Sequence, residues 1–410
     1  MAYIFGRYPY ILPVSRLLKG MPCYNCTIPS PRYDMKSVLL FLLCLSPLLG
    51  TAQTLPPAPQ LAAENYVLYD HTSHQVLVSH NADARIAPAS LTKLMTAYVV
   101  FAALKQDKIS LRQNLTPTAY ALRLQNEEPR MFLQVGKEVK VEELLRGLIV
   151  QSANDAARVL AEAIANHEIA FADLMNNEAK RLGMNNTHFA NATGVTEEGH
   201  YSSARDLALL AAALVRDFPQ HYALYALREY KYNGINQFNR NQLLWLDPYV
   251  DGMQTAYAEE TGFSLIATAK RDNRRLISVV IGAQKENLRS TESQRLLNHG
   301  FKEYELVPLY RQDQPVSSLR LWKGTEHQLE IGFREDRYVT IPLGLRDQLR
   351  AQLETRQPLI APVNAGQRIG TLHLFLNGEP YLDLPVVALE SVRLANVFSR
   401  GVDAIRLFFQ

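Results

Sequence analysis

Pro88-Ala89-Ser90-Leu91-Thr92-Lys93 heads a segment, Ser90–Gln106, whose apolar pattern predicts a helix. If the helix begins here, Ser90 and Lys93 lie three positions apart and share one face. A serine hydroxyl is a poor nucleophile until a base removes its proton. Lysine can be that base when desolvation and nearby positive charge favour its neutral form. The helix start adds partial positive charge and a backbone N–H able to stabilise an oxyanion. Alone, the spacing is also that of a capping serine followed by a surface lysine, so a second element has to accompany it.

That element is Gln151-Ser152-Ala153-Asn154-Asp155, some sixty residues later and between two segments that read as helices. Ser152 can relay a proton beside Lys93, and Asn154 can hold a substrate backbone amide. Asp155 reads alternatively as the cap of a helix from Ala156 onward. The two motifs, in this order, resemble the S-x-x-K and S-x-N elements of the penicillin-recognising serine enzymes. The surrounding phrases Pro88–Tyr98, Gln151–Ala157, Tyr201–Leu207 and Asn239-Arg240-Asn241 look like those of the low-molecular-mass penicillin-binding proteins, the serine-type D-alanyl-D-alanine carboxypeptidases (peptidase S11-like). The likeness runs from about Ala62 to the C-terminus.

The resemblance implies a transpeptidase/β-lactamase-like catalytic domain, a β-rich stalk and an amphipathic anchor on the outer face of the inner membrane. It implies peptidoglycan stem peptides ending in D-Ala-D-Ala as substrate and β-lactams as ligands, with no cofactor and no metal. Ser90 would attack the penultimate D-Ala carbonyl with Lys93 as base. Arg240 would pair with the terminal carboxylate through its bidentate guanidinium. The family's third motif, Lys-Thr-Gly, should follow Val250-Asp251-Gly252, where this chain reads Met253-Gln254-Thr255-Ala256-Tyr257. Thr255 can still hydrogen-bond the substrate carboxylate, and Tyr257 follows it on the same candidate binding strand. Gln254 removes a positive charge but remains a donor. Ala256 is expected to put a methyl group in the path of the substrate backbone. By analogy with losing one oxyanion donor, the altered motif should cost about 10²–10³ in rate.

Outward from the motifs, Asn65–Asp70 and Gln75–Ser79 read as strands around a His71–His74 turn, and Gly262–Arg271 and Arg275–Gly282 as a hairpin around Asp272-Asn273. Helices are predicted at Val141–Val150, Ala156–Asn166, Ala170–Leu182 and Ala204–Asp217. Strands flanking a helical block make an α/β (α+β) domain, an antiparallel sheet covered by helices, over 62–306. Over 307–389 the texture becomes all-β. Tyr338–Ile341 is strand-like, and Leu372, Leu374 and Leu376 alternate up to Asn377-Gly378, a two-residue hairpin signal. In the last segment, 390–410, Val392–Phe409 gathers Leu394, Val397, Phe398, Ile405, Phe408 and Phe409 mostly on one helical face. That suits a helix lying in a membrane surface or one packed on the β domain. Gly401 in its middle weakens a continuous helix.

Residues 1–52 hold five basic residues against Asp34 alone, leaving 38 basic and 39 acidic residues beyond them. So balanced a body gives no case for nucleic-acid binding. From Met35, Lys36 precedes the apolar run Val38–Leu45 and the small residues Gly50-Thr51-Ala52, the form of a secretory signal over 35–52. Met35 is read as the start, 1–34 stay unassigned, and 53–61 form a Pro- and Ala-rich linker. Cys23, Cys26 and Cys44 all precede the cleavage point, so the mature chain lacks cysteine. Export to the periplasm and peripheral attachment to the inner membrane follow. A catalytically impaired stem-peptide-binding protein of the same fold is the alternative to the enzyme. A class A β-lactamase is disfavoured, since no Glu-x-x-Leu-Asn phrase lies between Asn154 and Gln254. An endopeptidase acting on cross-links stays open within the family, and sequence alone does not set the oligomeric state.

Overall fold

The structure is a computed structural model that describes residues 10–13, 56–125 and 128–409. The proposed signal segment, the three cysteines and the unassigned start, apart from the backbone of Tyr10–Pro13, lie outside the described residues. The described residues form two compact units, one over Ala58–Leu306 and the other over those from Val307 onward together with those before Ala58.

The first unit is built on a five-stranded antiparallel sheet of β1 (Asn65–Asp70), β2 (Gln75–His80), β3 (Val250–Ala258), β4 (Gly262–Arg271) and β5 (Arg274–Ala283), in spatial order β2-β1-β5-β4-β3. The two-residue side-chain period divides β5 between two apolar layers. Ile277, Val279 and Ile281 join one buried cluster, and Leu276 and Val280 join another. The first layer holds the helices. α1 (Lys93–Lys105) is apolar all round and buried along most of its length, which makes it the central helix. α2 (Val141–Val150), α3 (Asn154–Ala165), α4 (Glu168–Arg181) and α5 (Ala204–Asp217) pack with it through one apolar face each. On the other face α6 (Glu286–Glu303) buries Leu296 and Leu297. Strand β3 is an edge strand, and it packs beside the turn that carries Ser90.

The second unit contains β6 (Tyr304–Tyr310, which crosses the boundary), β7 (Pro315–Trp322), β8 (Gln328–Gly332), β9 (Arg337–Pro342), β10 (Leu349–Thr355), β11 (Arg368–Leu376) and β12 (Glu379–Ala388). Strands β10-β11-β12-β8-β7 are neighbours in one sheet, whose edge strands are Tyr10–Pro13 beside β10 and Leu359–Ile360 beside β7. Tyr10–Pro13 lies within the 1–34 segment that the sequence left unassigned. Asn377 and Gly378 both take positive φ, 55° and 87°, as a primed two-residue turn between twisted strands requires. The alternating Leu372, Leu374 and Leu376 are buried.

The terminal helix needs correction. It runs over Val397–Phe408, α7, with Asn396 capping it through the Ser399 N–H at 2.9 Å. Val392, placed in the helix by its apolar spacing, is buried and bridges to Val363, and Leu394 bridges to Gly324. Gly401 sits inside α7 without breaking it. Buried Asp403 accepts the Lys323 N–H at 2.7 Å, so α7 is tied to the β unit by its polar side. Phe398, Phe408 and Phe409 are each more than 80% exposed. No helix among the described residues is long and apolar enough to cross a membrane.

Candidate active site

Ser90 lies in a 3₁₀ turn, Ala89–Thr92, and α1 starts at Lys93, so the predicted helix begins as a tighter coil. The turn is pressed against the 191–195 loop. A Cβ at Gly194, whose φ is +84°, would lie 1.8 Å from the Ala89 carbonyl oxygen, so only glycine fits there. Asn191 Oδ1 fixes this loop by accepting from the Gly194 N–H at 2.7 Å and the Thr193 N–H at 3.2 Å. The loop's Thr193 carbonyl stands 2.6 Å from Lys93 Nζ, which is 3.0 Å from Ser90 Oγ.

Lys93 is only 2% exposed. Burial, reinforced by the Arg240 guanidinium and further by Arg158, brings its pKa down from 10.5 to about 7, while Glu128 opposes the fall. A neutral Lys93 can donate one proton to the Thr193 carbonyl and turn its lone pair toward the Ser90 hydroxyl. This is the arrangement an activated serine requires.

Ser152 sits at φ +62° in the turn between α2 and α3, 2% exposed, and its Oγ accepts from Gln254 Nε2 at 3.0 Å. Gln254 thus reaches Ser152 from β3 as a neutral donor. Asn154 opens α3 and is 3% exposed. Its Nδ2 donates to Glu128 Oε2 at 2.6 Å, and its buried Oδ1 has no hydrogen-bond partner among the described residues. Asp155 is not the helix cap. The N-cap is Ala153, and Asp155 lies in the first turn with its carboxylate accepting the N–H groups of Met131, Leu133 and Ala156 at 3.0, 3.2 and 2.9 Å. It holds the 128–133 loop onto α3, and burial pushes its pKa up in spite of these donors.

On β3, Thr255 is buried, and Tyr257 is 57% exposed with its ring 4.6 Å from that of Phe263. Ala256 is 6% exposed and belongs to the core cluster with the helices. Paired with Ser264 two positions on from the Gln254–Ile266 pair, it lies on the same face of β3 as Gln254, the face that meets Ser152. The cleft itself, about 570 Å³, is bounded by Ser90, Asn154, Glu128, Thr193, Tyr257 and Glu259. Arg240 acts on this region through its charge on Lys93, and its guanidinium forms no hydrogen bond among the described residues.

Sequence reading missed three groups here. Thr193 contributes a carbonyl, which no side-chain motif reveals. Glu128 lies 26 residues from Asn154 in a loop without motif character. Arg289 on α6 is 4% exposed, pairs with Glu286 at 2.8 Å and lies over the Phe263 ring. Burial and the like charge of Arg240 lower its pKa, the second of these marking two arginines close enough to repel. Its only sequence signal is the Glu286–Arg289 spacing, common on helices.

Comparison with known proteins places this geometry. Residues 52–285 match the D-alanyl-D-alanine carboxypeptidase family of S11 peptidases, and residues 304–393 match the C-terminal domain of penicillin-binding protein 5. The D-alanyl-D-alanine carboxypeptidase DacC of Escherichia coli K12 is 39% identical over 375 residues, 90% of this chain and 94% of the relative. Penicillin-binding protein 5 of Haemophilus influenzae superposes with a TM-score of 0.79 at 37% identity, covering 82% of this chain and 99% of its own. Ampicillin-bound penicillin-binding protein D2 of Listeria monocytogenes, 29% identical with a TM-score of 0.55, covers 60% of this chain and all of its own.

Proposed function

The chain belongs to the D-alanyl-D-alanine carboxypeptidase family, and from that membership we propose that it removes the terminal D-Ala of peptidoglycan stem peptides through an acyl-enzyme on Ser90. The observation that carries this reading is the buried Lys93 amine, its pKa near 7, 3.0 Å from Ser90 Oγ. Ser90 Oγ bonds to the penultimate D-Ala carbonyl carbon and its proton passes to Lys93 Nζ. The C–N bond then breaks, the leaving amine takes up a proton returned from Lys93 through Ser152, and D-Ala departs. Water hydrolyses the ester and regenerates the serine. The Ser90 N–H can stabilise the oxyanion. The free edge of β3 can receive the peptide backbone as an added strand. Arg240, Arg289 and Thr255 are suited to the terminal carboxylate, where an incoming anion would relieve the repulsion between the two arginines.

Gln254 supplies a hydrogen bond and no charge, so we read the enzyme as slow. A second reading, a stem-peptide-binding protein with impaired chemistry, draws on the same Gln254 and on Glu128, which occupies the Asn154 donor. The test is incubation of the purified protein with a D-Ala-D-Ala-terminated peptide. Release of D-Ala that disappears in Ser90→Ala supports the enzyme; no release and no uptake of penicillin leaves the binding protein. Export over the 35–52 signal and peripheral attachment to the inner membrane through the exposed apolar face of α7 belong to the same proposal.

A further inference from the structure

Among the described residues that bound this cleft, the charged side chains are Glu128 and Glu259, both carboxylates. Glu128 is held against Asn154, the residue suited to the substrate amide on the acyl side of the scissile bond. The contact leaves Asn154 half used: Nδ2 is committed to Glu128, and the buried Oδ1 has no donor among the described residues. An unmet buried acceptor is costly, so the free cleft is poised for a ligand that brings donors. Arg158 does not neutralise Glu128 closely. Its Nη2 is 3.9 Å away, its Nε faces Glu168 at 3.8 Å, and its Nη1 donates to the Arg123 carbonyl at 2.6 Å.

We propose that Glu128 is a specificity-determining residue that selects stem peptides carrying an ammonium group on the side chain immediately preceding D-Ala-D-Ala. The inference rests on the cleft being a peptide-binding one. Such an ammonium takes over the Glu128 carboxylate and frees Asn154 Nδ2 for the substrate carbonyl, while the substrate N–H meets Oδ1. A neutral side chain has to break the Asn154–Glu128 bond without replacing it, and an anionic one meets two carboxylates.

The test uses full-length Ser90→Ala protein, so that binding is read without turnover. Calorimetry compares Nα-acetyl-L-Lys-D-Ala-D-Ala, with its free ε-ammonium, and the Nα,Nε-diacetyl peptide, which is neutral there. The ammonium peptide should bind about tenfold more tightly, close to 1.4 kcal/mol. Adding Glu128→Gln should bring the two within about twofold, chiefly by weakening the ammonium peptide. Glu128→Asp, which keeps the charge, should retain part of the preference. Equal affinities in the Ser90→Ala protein, no measurable affinity for either peptide, or an undiminished preference in Glu128→Gln overturns the inference. Discrimination between the peptides by the Ser90→Ala protein, with no uptake of penicillin by the wild-type protein, keeps this inference and loses the carboxypeptidase reading.

Discussion

Burial in the core around α1, reinforced by Arg240, favours the neutral form of the Lys93 amine, and in the proposed mechanism its protonation controls the reactivity of Ser90. Below a pKa of about 7 the ammonium cannot accept the serine proton, and above it the amine can. The second-order rate of Ser90 acylation by benzylpenicillin should therefore rise with pH through about 7 and level off above, and Lys93→Ala should remove acylation while circular dichroism stays native. In the proposed mechanism Gln254 is the other residue on which the rate depends. In Gln254→Lys a cation reaches Ser152 from β3, and like charge near Lys93 favours its neutral form. That variant should raise kcat/KM on D-Ala-D-Ala peptides about tenfold or more, roughly 1.4 kcal/mol of transition-state stabilisation, and move the acylation pH inflection downward. Ala256→Gly should add to this gain, because the Ala256 methyl lies on the same face of β3 as Gln254. A wild-type rate already equal to that of Gln254→Lys contradicts the penalty assigned to the missing charge. At this scale the Ser90–Lys93 spacing was readable because three residues on a helical turn fix a shared face. The Asn154–Glu128 contact was not, since it depends on how a long loop folds back.

Among elements, the sheet is closed by an ion pair deep in the unit. Arg274 Nε on β5 meets Asp70 Oδ2 on β1 at 2.7 Å, with Asp70 fully buried, and Arg274 Nη1 also donates to the Gly300 and Tyr304 carbonyls at 3.0 and 2.8 Å at the end of α6. Arg274→Met would leave the Asp70 carboxylate buried without its cation and the helix end without its donors. Denaturant unfolding should show a loss of about 3–5 kcal/mol; a change below about 1 kcal/mol would contradict the pairing's structural role. The antiparallel sheet, its helical cover and the Asn377-Gly378 hairpin were legible because each has a period or turn chemistry of its own. The start of the terminal helix was not. Buried Val392 and exposed Leu394, read into the helical stretch, both make β-bridges, and apolar spacing does not distinguish a helix from a bridged extended segment.

For the whole molecule, the two units invite separate tests. Every proposed site residue lies within Ala58–Leu306, and the ampicillin-bound Listeria relative covers 60% of this chain with the whole of its own. A chain ending near Leu306 should fold and take up penicillin as the full protein does; failure to do so would show that the β unit supports the catalytic one. Truncation after Asn396 removes α7 but keeps the Val392–Val363 bridge, and should abolish sedimentation with anionic lipid vesicles. Unchanged sedimentation would refute the anchor. Most direct for the central claim is intact mass spectrometry of the full protein after exposure to benzylpenicillin at pH 8, followed by peptide mapping. A single covalent adduct on the Ser90 peptide, absent in Ser90→Ala, is the predicted result; an adduct on another residue, or none after prolonged exposure, would contradict it.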